Sequence, residues 1–309
     1  MKINYSVSLV FVTYNRSDII VDTVNSYKNQ SYRNFEILVV DQTKNVPKDV
    51  INFFTTQTSQ DIRYIHLESP GLTKARNIGL ESSKGEIVIF VDDDTEPLHE
   101  NFISSHVRNY YKENIIGVSG RIVDHRYSIC SNPNKILKIS RWGEIMGGKN
   151  GVIRTNIDVL SGGNMSFRRD LALRNDCWFD PKISGTAQGE DIHFSLKLLK
   201  KTGGKFIFDP EASIKHFALE YGGDSSRAVP SIYRHFWRIH NYTYIWLEYK
   251  DKVILPLYIL YRIVGNILIS IRERSIRSLW WLNYAIFLSL RTHQGKSWSK
   301  KIIQNIKKG

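Results

Sequence analysis

The strongest constraint on the fold is an alternation, along the first third of the chain, of short β-branched runs with segments of helical period. Residues 7–12 form a continuous apolar run suited to a buried strand, and Ser17 and Asp18 then open a segment with Ile20, Val24 and Tyr27 at helical spacing. Further strands are expected over 35–40, 62–67 and 86–91, with a helix over 72–80 ending near Gly85. Repeated βα units predict an α/β fold, a mostly parallel sheet with helices on both faces. In such sheets ligands bind beyond the carboxyl ends of the strands, so polar residues just after strands carry the functional information.

Three consecutive carboxylates, Asp92, Asp93 and Asp94, follow the apolar strand in GEIVIFVDDDTEP. Like charges held at one strand end repel, which calls for a counter-charge. A hard divalent cation, Mg2+ or Mn2+, prefers carboxylate oxygens and keeps positions open for phosphate. The plain structural alternative is an acidic turn whose Asp caps the next helix.

Two more carboxylates stand at informative places. In GEDIHFSLKLLKKTGG, Ile192, Leu196 and Leu199 recur at helical spacing and Gly203-Gly204 ends the pattern, which puts Glu190 and Asp191 at a helix start. The helix dipole there keeps a carboxylate ionised, so that it can accept a proton at neutral pH, although capping alone would also place it there. Asp41 follows the strand FEILVV, where a carboxylate can accept from the N3–H of uracil or thymine, a donor that cytosine lacks; starting a turn is its other role.

Taken in order, VSLVFVTYNR, ILVVDQT, LTKARNIGL, VIFVDDDTEP, SGGNMSFRR and GEDIHFSLKL resemble the family 2 glycosyltransferases of GT-A fold, over about residues 5–220. The resemblance implies an inverting, metal-dependent transfer of a sugar from a UDP- or dTDP-sugar. It makes Asp94 the direct metal ligand, with Asp92 and Asp93 reaching ribose or metal-bound water, and Asp191 the base for the acceptor hydroxyl. Thr13 and Tyr14 would join Asp41 and Arg76 around the donor, and His216, in ASIKHF, would complete the coordination of Mn2+ or Mg2+. Gly162 and Gly163 offer close backbone approach to a sugar or acceptor. The sequence contains neither a Walker loop nor a GxGxxG fingerprint, so phosphate has to be held through metal and isolated basic groups. A catalytically silent nucleotide-sugar-binding scaffold is the rival reading, against which the intact Asp94 and Asp191 argue.

Charge divides the chain. From Ser226 onward there are 15 Lys+Arg against 3 Asp+Glu, so this segment carries +12 of the overall +13. The expected division is a catalytic domain over 1–225 and a basic, aromatic-rich helical tail over 226–309, punctuated by YGGDSS. The apolar run 253–271 approaches the length of a membrane span but contains Pro256 and Arg262, and 280–290 is too short to span. With Arg272, Arg274, Arg277 and the closing KKIIQNIKKG, these segments read as interfacial helices facing anionic lipid.

A lipid-linked saccharide acceptor at the inner face of a bacterial cell membrane, in surface polysaccharide synthesis, follows by analogy with the resembled family. The Gln-x-x-Arg-Trp element of processive synthases is missing from the sequence, which favours one or a few sugars per acceptor. No nucleic-acid-binding signature accompanies the basic residues. The only cysteines, Cys130 and Cys177, lack metal-ligand spacing and suit a reducing compartment, and the apolar N-terminal run reads as a first strand rather than a signal peptide.

Overall fold

The β-branched run VSLVFVT becomes β1 (Val7–Thr13), the strand on which the sheet is built. A computed structural model describes residues 4–56, 62–223 and 231–295; the expected boundary at 225/226 and the closing basic segment lie outside them. After β1 come α1 (Ser17–Tyr27), β2 (Phe35–Asp41), α2 (Lys48–Thr56), β3 (Ile62–His66), α3 (Leu72–Ser82), β4 (Ile87–Asp92), β5 (Thr95–Pro97), α4 (Phe102–Val107) and β6 (Ile115–Val123). The two-residue β7 (Lys138–Ile139) and β8 (Ile145–Met146) precede β9 (Thr155–Ile157), β10 (Asn164–Arg168), α5 (Arg169–Arg174), α6 (Glu190–Thr202) and β11 (Lys205–His216). Three long helices close the described chain: α7 (Ser231–Tyr249), α8 (Leu255–Arg272) and α9 (Ile276–His293).

The chain divides into two compact units. The first comprises 1–138, 145–179 and 191–223 and holds a nine-stranded sheet in the order β3-β2-β1-β4-β10-β6-β11-β5, with β9 also on β11. As the βα pattern predicts, β3, β2, β1 and β4 are parallel. The sheet then becomes mixed, because β10 runs antiparallel between β4 and β6. Alternate residues of β1 serve two layers. Val7, Leu9 and Phe11 pack with Ile20, Val24 and Tyr27 of α1 and with Phe102, Ile103 and Val107 of α4. On the other face α3 lies so close that a Cβ on Gly79 would meet Val10 at 2.8 Å, and the rings of Phe90, Phe167, Phe179 and Phe194 pack together there. Each fully buried aliphatic or aromatic side chain stabilises the fold by about 1.5–3 kcal/mol.

The second unit takes 139–144 and 180–190 together with 224–309, so it is discontinuous in sequence. Trp237, Phe236, Trp281, Leu282 and Ala285 form its core. The Asn241 amide on α7 donates to the carbonyls of Ser184 and Gln188, at 3.0 and 3.2 Å, and Tyr244 donates to Asp180 at 2.8 Å. Gly185, at φ +69°, brings its backbone so near the Trp237 ring that a Cβ would lie 2.2 Å from it, so only glycine fits.

Candidate active site

Parallel register brings the ends of three strands side by side. Thr13 pairs with Asp41 across β1 and β2, and Val12 pairs with Asp92 across β1 and β4. Immediately after β4 the chain turns into β5, whose Thr95 pairs with His216 at the end of β11. That pairing carries the histidine to the acidic turn: His216 Nε2 lies 3.1 Å from Asp94 Oδ1 and 3.7 Å from Asp92 Oδ2. One ligand atom from each of Asp92, Asp94 and His216 falls within 4.8 Å of the others.

Two carboxylates and an imidazole are a donor set suited to Mn2+ or Mg2+. The second ring nitrogen of His216 supports that fit. Nδ1 is 2.6 Å from Asp124 Oδ2, so with the proton on Nδ1 the Nε2 lone pair faces the carboxylates. Asp124 is itself tied to the Arg126 guanidinium by several hydrogen bonds. Although burial opposes it, Arg126 and His216 hold the Asp124 carboxyl well below the usual range. Burial opposes the shift of His216 as well, yet Asp94, Asp92 and Asp124 together raise its pKa. Asp94 is lowered, the pull of His216 and Arg16 and the Leu219 N–H outweighing burial.

The three aspartates differ in their surroundings. Asp93 turns inward, where Arg16 Nη1 donates to its Oδ1 at 2.6 Å and lies 3.2 Å from Asp94 Oδ1. Burial, opposed by Arg16, pushes the Asp93 carboxyl up to about 6. The counter-charge expected from a cation alone is thus supplied in part by Arg16. The same guanidinium donates to the carbonyls of Tyr221 and Leu219, which fastens the segment after β11 to the acidic turn. Gly222, at φ +64°, sits so close that a Cβ would lie 2.3 Å from Arg16 Cγ. Tyr14 joins this contact through its carbonyl, which accepts from Gly223 N at 2.6 Å.

Asp191 stands at the start of α6. Its Oδ2 accepts from Gly162 N at 2.8 Å and its Oδ1 from Ile192 N at 2.9 Å. The Gly162 carbonyl in turn accepts from Arg76 Nη2 at 3.1 Å, so one residue, through two successive peptide groups, links Arg76 to Asp191. Arg76 is buried over the Phe90 and Phe179 rings, and Asn77 pins the Phe179 backbone through both amide atoms. Gly163 packs against the acidic turn, where a Cβ would lie 2.6 Å from Asp92 Oδ2. Asp41 is wholly buried, with Oδ1 accepting from Thr43 N at 2.7 Å and Oδ2 from the Tyr64 hydroxyl at 2.8 Å. A base N–H at Asp41 therefore has to share an oxygen with one of these donors.

Arg16, Asp124 and Arg126 are absent from the sequence-based site. Asp124 directly follows β6, and the rule that singled out Asp41 and Asp92 applies to it once that strand is recognised.

The comparisons with known proteins bear on the fold and the family. Structures of two proteins share the fold. Mannosyltransferase PcManGT from Pyrobaculum calidifontis, solved with GDP-mannose and Mn2+, superposes with a TM-score of 0.56 at 15% identity, covering 98% of this chain and 79% of that one. GalNAc-T7, solved with UDP, GalNAc and Mn2+, gives 0.59 at 17% identity over 95% of this chain and 58% of that one. WcaA of Escherichia coli (strain K12), provisionally named a colanic acid biosynthesis glycosyl transferase, is 29% identical over 254 residues, 78% of this chain and 83% of that protein. A glycosyltransferase of Rickettsia bellii without further characterisation is 30% identical over 114 residues, 32% of this chain and only 16% of that longer protein. The family model described as "Glycosyl transferase family 2" matches residues 8–174, more than half of the sequence, and the chain belongs to that family.

Proposed function

We propose that this protein transfers a sugar from a UDP- or dTDP-activated donor to a glycan acceptor, with inversion at the anomeric carbon and with a divalent cation as cofactor. The observation that carries the reading is the convergence of Asp92, Asp94 and His216 with Asp191, which is linked to the same turn through Gly162 and Gly163. Asp92, Asp94 and His216 would hold the cation, which when bound neutralises charge developing on the leaving diphosphate. Asp191 takes the proton of the acceptor hydroxyl as that oxygen bonds to the anomeric carbon and the bond to the diphosphate breaks. Two backbone N–H donors, from Gly162 and Ile192, aim the Asp191 carboxylate. Asp124 acts at one remove by fixing the tautomer and direction of His216.

Asp41 at the end of β2 supports uracil or thymine, whereas the two fold neighbours carry GDP-mannose and UDP. Thr13, Tyr14 and Arg76 would line the donor. The acceptor we assign is a lipid-linked saccharide, consistent with WcaA among the relatives and with the apolar helices of the second unit, and it places the protein at the inner face of the cell membrane in surface polysaccharide synthesis. Calorimetric titration with UDP, dTDP, GDP and CMP, each with and without Mn2+, tests the donor site. Metal-dependent binding of UDP or dTDP is expected. A preference for GDP removes the Asp41 argument, and no binding at all in a folded sample favours a silent scaffold.

A further inference from the structure

In the second unit, α8 is built inside out. Its buried positions recur every four residues and are polar: Tyr258, Arg262, Asn266 and Ser270. Its exposed positions are mostly aliphatic, with Leu257 56%, Leu260 57%, Leu268 63% and Ile271 67% exposed, while Arg262 is 8% and Asn266 1% exposed. A surface helix in water has the opposite pattern. The buried side is specific rather than accidental. Tyr258 stacks on Trp246 with ring centroids 4.1 Å apart and donates to Thr243, Arg262 donates to Tyr258 at 2.7 Å and to Glu144 at 2.5 Å, and Asn266 donates to Asn283 at 3.0 Å.

The neighbouring helix continues the apolar surface. Ile276, Trp280 and Phe287 of α9 are exposed, and with Leu279, Asn283 and Tyr284 they border a groove of about 520 Å³. Arg272, Arg274 and Arg277 stand exposed at the turn between the two helices, and five lysines lie among residues 296–309 of the sequence. Apolar side chains flanked by cations match the hydrocarbon edge and the headgroups of an anionic bilayer, where tryptophan and tyrosine also settle.

By length and composition alone, residues 252–272 qualify as a membrane span, with mean hydropathy 1.8. The charges beside the helix argue against spanning. Glu144 bridges Arg262, midway along α8, to Arg238 of α7, whose side chain is 54% exposed. Were α8 upright, these groups would sit at the centre of the hydrocarbon, where ionised side chains are costly.

We infer that α8 lies in the plane of an anionic membrane surface, with Leu257, Leu260, Val264, Leu268 and Ile271 in the acyl chains and the Arg262–Glu144 side held away from lipid by the protein. The inference deepens the membrane placement given above and rests on it, but not on the donor reading.

Flotation of the full chain with phosphatidylglycerol/phosphatidylethanolamine vesicles tests it, with UDP–Mn2+ binding recorded on the same samples. The wild type is expected to float, less so at high salt, and Leu260→Ser with Leu268→Ser to reduce partitioning at least about tenfold without altering UDP–Mn2+ binding. Nitroxides at Leu257→Cys, Leu260→Cys, Leu268→Cys and Ile271→Cys, on a Cys130→Ser/Cys177→Ala background, are expected to report one shallow depth. A depth gradient along α8 overturns the in-plane placement. Failure of the wild type to float overturns the membrane reading, as does a stable dimer in solution that the leucine substitutions dissociate. Loss of nucleotide binding with flotation intact removes only the donor reading.

Discussion

His216 Nδ1 lies 2.6 Å from Asp124 Oδ2 while Nε2 lies 3.1 Å from Asp94 Oδ1, so the imidazole bridges the two carboxylates. A carboxylate behind a ligating imidazole fixes its tautomer and raises its basicity, and removing such a partner costs about 10–100-fold in metal affinity. Asp124→Asn is therefore expected to weaken Mn2+ binding by about that factor, with unfolding midpoints nearly unchanged because the partly exposed Arg126 can be solvated. Electron paramagnetic resonance titration of free Mn2+ reads the effect without any turnover. Unchanged affinity would mean that His216 is aimed by something other than Asp124.

Asp94→Ala and Asp191→Asn separate the metal from the base. The first removes one member of the Asp92, Asp94 and His216 group, so metal-assisted nucleotide binding and transfer should both disappear. The second leaves that group intact; nucleotide binding should persist while transfer falls about 10²–10⁴-fold, the range for losing a positioned general base. Calorimetry paired with a transfer assay distinguishes them, and near-normal turnover in Asp191→Asn would remove the base assignment.

Much of this was legible in the sequence wherever a signal was local. The β-branched runs of β1 and β2 and the apolar spacing of α1 appear in the structure at nearly the expected residues, since strand and helix periods are properties of neighbouring residues. What the sequence hid depends on distant pairing. β10 enters antiparallel between β4 and β6, which no run of residues announces. Asp93 and Asp94 are adjacent in sequence and share Arg16, yet Asp94 also lies against His216, because Arg16 and His216 arrive from distant parts of the chain. The inversion of α8 was hidden for the same reason, since composition reports that a helix is apolar but not which face its neighbours cover.

Arg16 and Asp93 form a buried pair, with side chains 7% and 5% exposed. Breaking such a pair from one side costs about 3–5 kcal/mol, because the remaining charge is stranded. Arg16→Met should lower stability in urea by about that amount at neutral pH, and adding Asp93→Asn should restore a large part of it. If the double variant is no more stable than the single one, the contacts of Arg16 with Asp94, Leu219 and Tyr221 dominate instead.

Acid should destabilise the fold through two buried histidines. His106 lies between Ser166 Oγ, at 2.9 Å, and Asn164 Oδ1, at 3.0 Å. The Asn164 amide nitrogen donates to Ala212 and Arg121 carbonyls, so its Oδ1 must accept, and the neutral Nε2–H tautomer satisfies the whole chain of contacts. Burial pushes His106 down to about 4, and burial likewise pushes His240, between Asn241 and Thr292, to about 4. Both folded values lie below the unfolded one of about 6.5. Between those limits the unfolded chain takes up protons that the folded chain refuses, so stability is fully present above about pH 6.5 and is lost as the pH falls toward 4. Each histidine accounts for up to about 3 kcal/mol across that window. Urea midpoints measured from pH 7 to pH 4 should fall steeply in the wild type, and His106→Gln should flatten the slope by roughly one of the two protons. An unaltered slope in that variant would mean that His106 is protonated in the folded state.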